Sequence, residues 1–130
     1  MDKKEKSIIY IAHTDVAFIR DFVERMGSLD IAVEAFSQGR ELLVEFRKHK
    51  PLAAVISTLL SDMDGLQAID ALHDLYGNSV PVVAVLHNDS VDLQAQAVKR
   101  SVLCKFIPPV NINEVTDVIA RLYVKKAVQV

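Results

Sequence analysis

Short apolar runs alternate along the chain with stretches whose apolar residues recur at helical spacing. The runs are SIIYIA (7–12), IAVEAF (31–36), LAAVIS (52–57), VPVVAVL (80–86) and LCKFI (103–107). Between the first two, Ile19, Phe22, Val23 and Met26 follow the i, i+3, i+4, i+7 rule, and Gly27 is placed to end the helix they predict. Leu42, Leu43 and Phe46 predict a second helix that stops before Pro51. Leu66, Ile69, Leu72 and Leu75 predict a third, closed by Gly77. Leu93, Ala97 and Val98 mark a fourth, and Ile112, Val115, Val118, Ile119 and Leu122 a fifth.

Strands that alternate with helices predict an α/β domain, a parallel sheet covered on both faces. The runs 52–57 and 80–86 lack in–out alternation, as central strands buried on both sides do. The run 31–36 is more mixed and suits an edge. With 130 residues, one domain is expected, large enough to bury a core. Residues 7–124 form that domain, residues 1–6 read as a disordered polar tail, and 125–130 as a helix end or the start of a linker.

Composition and charge remove several function classes. A net charge of −2 gives no electrostatic reason for nucleic-acid binding, which draws on clustered Lys and Arg. Lys3, Lys4 and Lys6 are interrupted by Asp2 and Glu5 and read as a solvated tail. Cys104 is the single cysteine, so no intrachain disulfide or thiolate cluster can form, which favours a reducing compartment. No apolar stretch approaches the ~20 residues needed to cross a bilayer. A cytoplasmic protein with no membrane contact is expected.

In an open parallel sheet, chemistry belongs at the carboxyl ends of the strands. Those ends carry Ala12, His13, Thr14 and Asp15, then Ser57 and Thr58, then Leu86, His87 and Asn88, and finally Ile107, Pro108 and Pro109. The stretch PLAAVISTLLSDMDGL (51–66), with VEAFSQGRELL (33–43), VPVV (80–83) and PPV (108–110), resembles the response-regulator receiver domain, the CheY-like family of two-component signalling. The resemblance spans residues 7 to 124. It implies a flavodoxin-like, doubly wound five-stranded parallel sheet of order 2-1-3-4-5 with five helices.

The resemblance also implies which positions would carry receiver chemistry. A carboxylate accepts a phosphoryl group, and an acidic pair holds Mg2+, a hard cation that takes oxygen ligands. A hydroxyl, an aromatic and a lysine then relay the change. Here the acceptor position holds Ser57, the acidic pair Ala12 and His13, the hydroxyl position Leu86, the aromatic position Lys105 and the lysine position Pro108. A one-residue gap would put Phe106 at the aromatic position instead. This is a degenerate site. It points to a phosphorylation-independent module for a protein partner or a homodimer, without cofactor or catalysis, which can be the N-terminal regulatory domain of a larger regulator.

Each of these residues has a plainer and a sharper reading. Ser57 is either a packed, hydrogen-bonded hydroxyl or the target of a conventional kinase. His13 and His87, with Asp15, Asp62 and Asp64 nearby in sequence, could hold a metal or titrate as a switch, although Asp15 and Asp64 equally suit helix N-caps. Asp62 or Asp64 could also serve as a displaced phospho-acceptor. Cys104 is either a reactive thiol or a small buried apolar residue. Tyr123, Val124, Ala127, Val128 and Val130 extend the last helix as a plain end or as a partner contact. A flavodoxin-like ligand, cofactor or metal binder using the rim around His13 and His87 is the alternative function. Against it, the loop AHTDV contains no glycine to cradle a phosphate.

Overall fold

The computed structural model describes residues 8–128, with side chains described as far as Lys125. The elements among them run β1 (Ile8–Ala12), α1 (Val16–Gly27), β2 (Ala32–Phe36), α2 (Gly39–Lys48), β3 (Ala53–Ser57), α3 (Gly65–Tyr76), β4 (Val82–Val85), α4 (Val91–Lys99), β5 (Cys104–Phe106) and α5 (Ile112–Val128). All five strands pair in parallel, in the order β2-β1-β3-β4-β5. This is the expected doubly wound, flavodoxin-like sheet. Residues 1–6, expected as a tail, lie outside the described residues. Residues 125–128 continue α5.

The side-chain period of two in a strand splits the core into two layers. Tyr10, Ala12, Ala54, Ile56, Ala84 and Leu86 face α2, α3 and α4, whose Leu42, Phe46, Ile69, Leu72 and Ala97 are buried there. Ile9, Ile11, Val55, Val83 and Val85 face α1 and α5 and meet Phe22, Met26, Val115 and Ile119. Every residue of β3 and β4 is buried, whereas β2, an edge strand, has only half-buried and exposed positions.

Three predicted helix positions turn outward, and Val23 on α1 is one of them, 40% exposed. Leu75 is 63% exposed. It lies in the last turn of α3, where a three-residue spacing continued from Leu66 has drifted to the margin of the stripe that buries Leu66, Ala68, Ile69 and Leu72. Val98 is exposed for a similar reason, because it directly follows the inward Ala97 on α4.

Two glycines are required by the backbone. Gly77 ends α3 at φ +66°, the left-handed region that favours glycine. Gly65 begins α3 against β3: a Cβ there would stand 1.8 Å from the carbonyl oxygen of Ser57. Its own N–H donates to the Thr58 carbonyl at 2.9 Å. The Met-Asp-Gly sequence therefore brings the start of α3 directly onto the tip of β3.

Candidate functional site at the strand tips

The register sets the tips of β1, β3 and β4 side by side, with Ala12 opposite Ile56 and Ser57 opposite Val85. Beyond the strands, Thr58 N–H still donates to the Val85 carbonyl, and Leu86 N–H to that of Phe106, both at 2.9 Å. The rim is a tightly hydrogen-bonded ledge.

Ser57 is buried at the end of β3. Its Oγ accepts the N–H of Leu59 at 3.1 Å and donates to the Leu59 carbonyl at 3.2 Å. The hydroxyl is thereby satisfied by the backbone of the loop that follows, as buried polar groups require. No part of this arrangement needs a ligand.

The first loop is closed in the same way. The Ala12 methyl is fully buried. His13 Nδ1 accepts the N–H groups of Thr14 at 2.9 Å and Asp15 at 3.1 Å, and its ring stacks on Phe18 with centroids 4.8 Å apart. Burial lowers the His13 pKa below its ordinary 6.5, and the nearby Asp15 charge opposes this only in part. A neutral ring is what a twice-accepting Nδ1 needs. Asp15 itself caps α1, its Oδ1 accepting from Ala17 and Phe18 N–H.

The tips of β3 and β4 are linked by Thr58 and His87. Asn88 Oδ1 accepts the Ser90 N–H at 2.9 Å, so the amide NH2 faces His87 Nε2 at 3.3 Å as the donor. That leaves the ring proton on Nδ1, which donates to Thr58 Oγ1 at 2.7 Å. The same oxygen accepts the backbone N–H of His87 at 3.0 Å. Thr58 stood in the predicted rim without a role, and its pairing with a residue 29 positions away leaves no local signal.

The two loop acids are also occupied. Asp64 caps α3 in a capping box, its Oδ1 accepting the Leu66 N–H while Gln67 Oε1 accepts the Asp64 N–H. Asp62 reaches across to α2, its carboxylate accepting the N–H groups of Gly39 at 2.7 Å and Arg40 at 3.1 Å. Desolvation pushes its pKa up, but these donors, its own backbone N–H and the Arg40 charge outweigh that and hold it below 3.8. Neither acid is directed to the strand tips as a displaced acceptor.

Leu86 and Pro108 carry no group that could bind phosphate. Leu86 is buried in the core layer between the sheet and α2, α3 and α4. Lys105 and Phe106 point to opposite sides of the sheet, and Phe106 packs with the α1–α5 layer. Pro108 is half-buried and joined to Pro109 by a cis peptide. Cys104 is half-buried against the α1–α5 layer, and burial pushes its thiol pKa up.

The structure does not bring His13 and His87 together with the acids. Among the described residues, no group of three or more His, Cys, Asp and Glu side chains is placed to hold a metal. Mg2+, which the receiver pattern implies, does not fit here: a buried methyl and an imidazole committed to backbone donors stand where carboxylate oxygens are needed.

On α5 the expected contact residues divide. Tyr123 packs on the α1–α5 layer, while Val124 is 58% exposed. Val124 lines a surface groove of about 410 Å³ with Asp117, Ala120, Arg121 and Lys125. The side chains of Ala127 and Val128 lie outside the described residues.

The fold matches receiver domains over nearly its whole length. A CheY-like receiver domain protein from Methanospirillum hungatei superposes with TM-score 0.82 at 18% identity, covering 95% of this chain and 98% of that one. The chain has the receiver fold. The receiver domain of a Francisella response regulator gives TM-score 0.82 at 18% identity over 93% of this chain and 99% of its own. The signal receiver domain of an HD domain-containing protein from Pseudomonas fluorescens gives 0.82 at 12% identity, covering 95% and 98%. No family model and no curated relative matches the sequence. No helix among the described residues is long and apolar enough to cross a membrane.

Proposed function

We propose that this chain is an atypical receiver module of two-component-type signalling that works without phosphoryl transfer, as a protein–protein interaction or dimerisation unit. It serves as the regulatory domain of a larger regulator in the cytoplasm, performs no catalysis, and contacts neither nucleic acid nor membrane directly. The tip of β3 carries this reading. Where the receiver pattern has a nucleophilic carboxylate, Ser57 turns its hydroxyl onto the Leu59 backbone. Its neighbours Ala12 and His13 offer no acidic pair, and Asp15, Asp62 and Asp64 are all spent on helix N-termini.

Without a covalent switch, regulation has to come from a partner with different affinities for different conformations of the domain. Exposed apolar and charged surface on α5 supplies a contact face for such a partner. The test is the thermal midpoint with and without beryllofluoride and Mg2+. An unchanged midpoint is expected, and a Mg2+-dependent rise would overturn the reading.

A further inference from the structure

We propose that the outer edge of β2 receives an extended segment of a partner protein as an added strand, with a Lys or Arg of that segment opposite Glu34 and an apolar residue seated between Phe36 and Val44. This rests on the interaction-module reading above, adds a contact face to it and names the chemistry of the partner. The His13 N–H donates to the Phe36 carbonyl at 2.9 Å. Residues along a parallel strand bond alternately to one side and the other, so Ala32, Glu34 and Phe36 serve β1. Val33 and Ala35 turn their N–H and C=O groups outward, and no described residue takes them up.

Sheet edges are ordinarily blunted by Lys, Pro, bulges or shortness. The opposite edge, β5, follows that rule, with three residues and Lys105 at its centre. β2 has five residues without Pro or Lys and keeps an unbroken register with β1. Beside it lies a groove of about 470 Å³, where Ala35 and Phe36 meet Val44 of α2, itself 47% exposed. Glu41 and Glu45 border this groove, with Arg40 as its cation. Glu34 is exposed and, two residues from Phe36, stands on the same side of the sheet. Burial, and after it the charges of Glu34 and Glu45, push the Tyr10 hydroxyl up to about 12, as two carboxylates on its side of the sheet would. Lys48 lies 4.0 Å from Glu45, whereas Glu34 forms no ion pair with a described residue.

Glu34 decides between occupants. The register that would pair the full strand antiparallel with a second copy sets Glu34 against itself, and like charges directly opposite are unfavourable. A partner strand with a cation at that place gains a cross-strand pair instead. Side chains two residues from that cation fall on the same face, where an apolar one enters the groove. Main-chain bonds to Val33 and Ala35 then supply affinity, and the alternate side chains supply specificity.

The test titrates the full chain with the capped peptide TLVKVLT, and with TLVEVLT as its control, up to about 5 mM, followed by amide NMR. Leu on both sides of the central residue serves either strand direction. The Lys peptide is expected to shift residues of β2 and α2 and to slow hydrogen exchange at the Val33 and Ala35 N–H groups. It should bind at least about fivefold tighter than the Glu peptide. Glu34→Lys, verified as folded by far-UV circular dichroism, should reverse that preference.

An absence of shifts in β2, unchanged exchange at both N–H groups, or a preference for the Lys peptide that survives in folded Glu34→Lys would overturn the proposal. So would a dimer of the peptide-free chain, seen by light scattering, that the peptide dissociates, since the edge then belongs to a second copy. A chain that binds neither peptide and ignores beryllofluoride removes the edge contact alone. Binding with the stated preference in a chain that also responds to beryllofluoride and Mg2+ leaves the contact standing and removes the phosphorylation-independent reading.

Discussion

Asp62 and Gly39 lie 23 residues apart in the chain, yet the carboxylate of one accepts the backbone N–H of the other at 2.7 Å. Helix α2 begins after Gln38, whose side chain makes no capping bond, so its first N–H groups would otherwise lack a partner within the helix. The loop after β3 supplies the missing cap. Ser61 ties the same loops together, its N–H and hydroxyl both donating to the Ser37 carbonyl, at 3.0 and 2.9 Å. An acid in the region where a receiver would use one is here a brace between two loops.

Replacing Asp62 with Ala should lower the thermal midpoint, and Asp62→Asn, which keeps an acceptor, should lower it less. The pH dependence has a definite sign. The folded pKa lies below 3.8, so the stabilisation is present above that value and is lost as pH falls through the folded pKa. Thermal melts in acid should show this loss in wild type and a smaller one in Asp62→Asn. An equal acid response in both would disprove the brace.

Much of this was legible in the chain itself. The five apolar runs are the five strands, each trimmed by one to three residues, and burial on both faces marks β3 and β4 most clearly. Asp15 and Asp64 were recognisable as caps because a cap bonds two or three residues onward. Asp62 and Thr58 were not, since their partners come from other elements and only the folded sheet brings them close. The one local hint was negative, an uncapped Gln38 ahead of α2. Leu75 was misplaced because a three-residue spacing kept up for three turns drifts off the inward face.

Gly65→Ala should cost about 3 kcal/mol or more, read as a fall in the urea midpoint, since overpacking of this severity cannot relax without moving backbone. The obstacle is the Ser57 carbonyl, 1.8 Å from the new Cβ. Gly27→Ala is the control. A Cβ at Gly27 meets nothing within 4 Å, so stability should be unchanged or rise by up to about 1 kcal/mol. Similar losses at both positions would contradict the close approach of α3 to β3.

His13 should make the fold sensitive to mild acid. Its folded pKa lies below 6.5, so the stability contributed by the neutral ring is present above 6.5 and is lost as pH drops through the folded value. Asn at this position can accept the same two N–H groups without titrating in that range. His13→Asn should therefore flatten the stability profile below pH 6.5. An unaltered slope would show that the ring does not act through Nδ1.

The phosphoryl chemistry itself is tested by incubating the whole chain with acetyl phosphate and Mg2+ and weighing it intact. With Ser57 closed on Leu59, and with Asp62 and Asp64 occupied as caps, the mass should not change. A species heavier by one phosphoryl group, formed only when Mg2+ is present, would show that a working acceptor survives and would contradict the account.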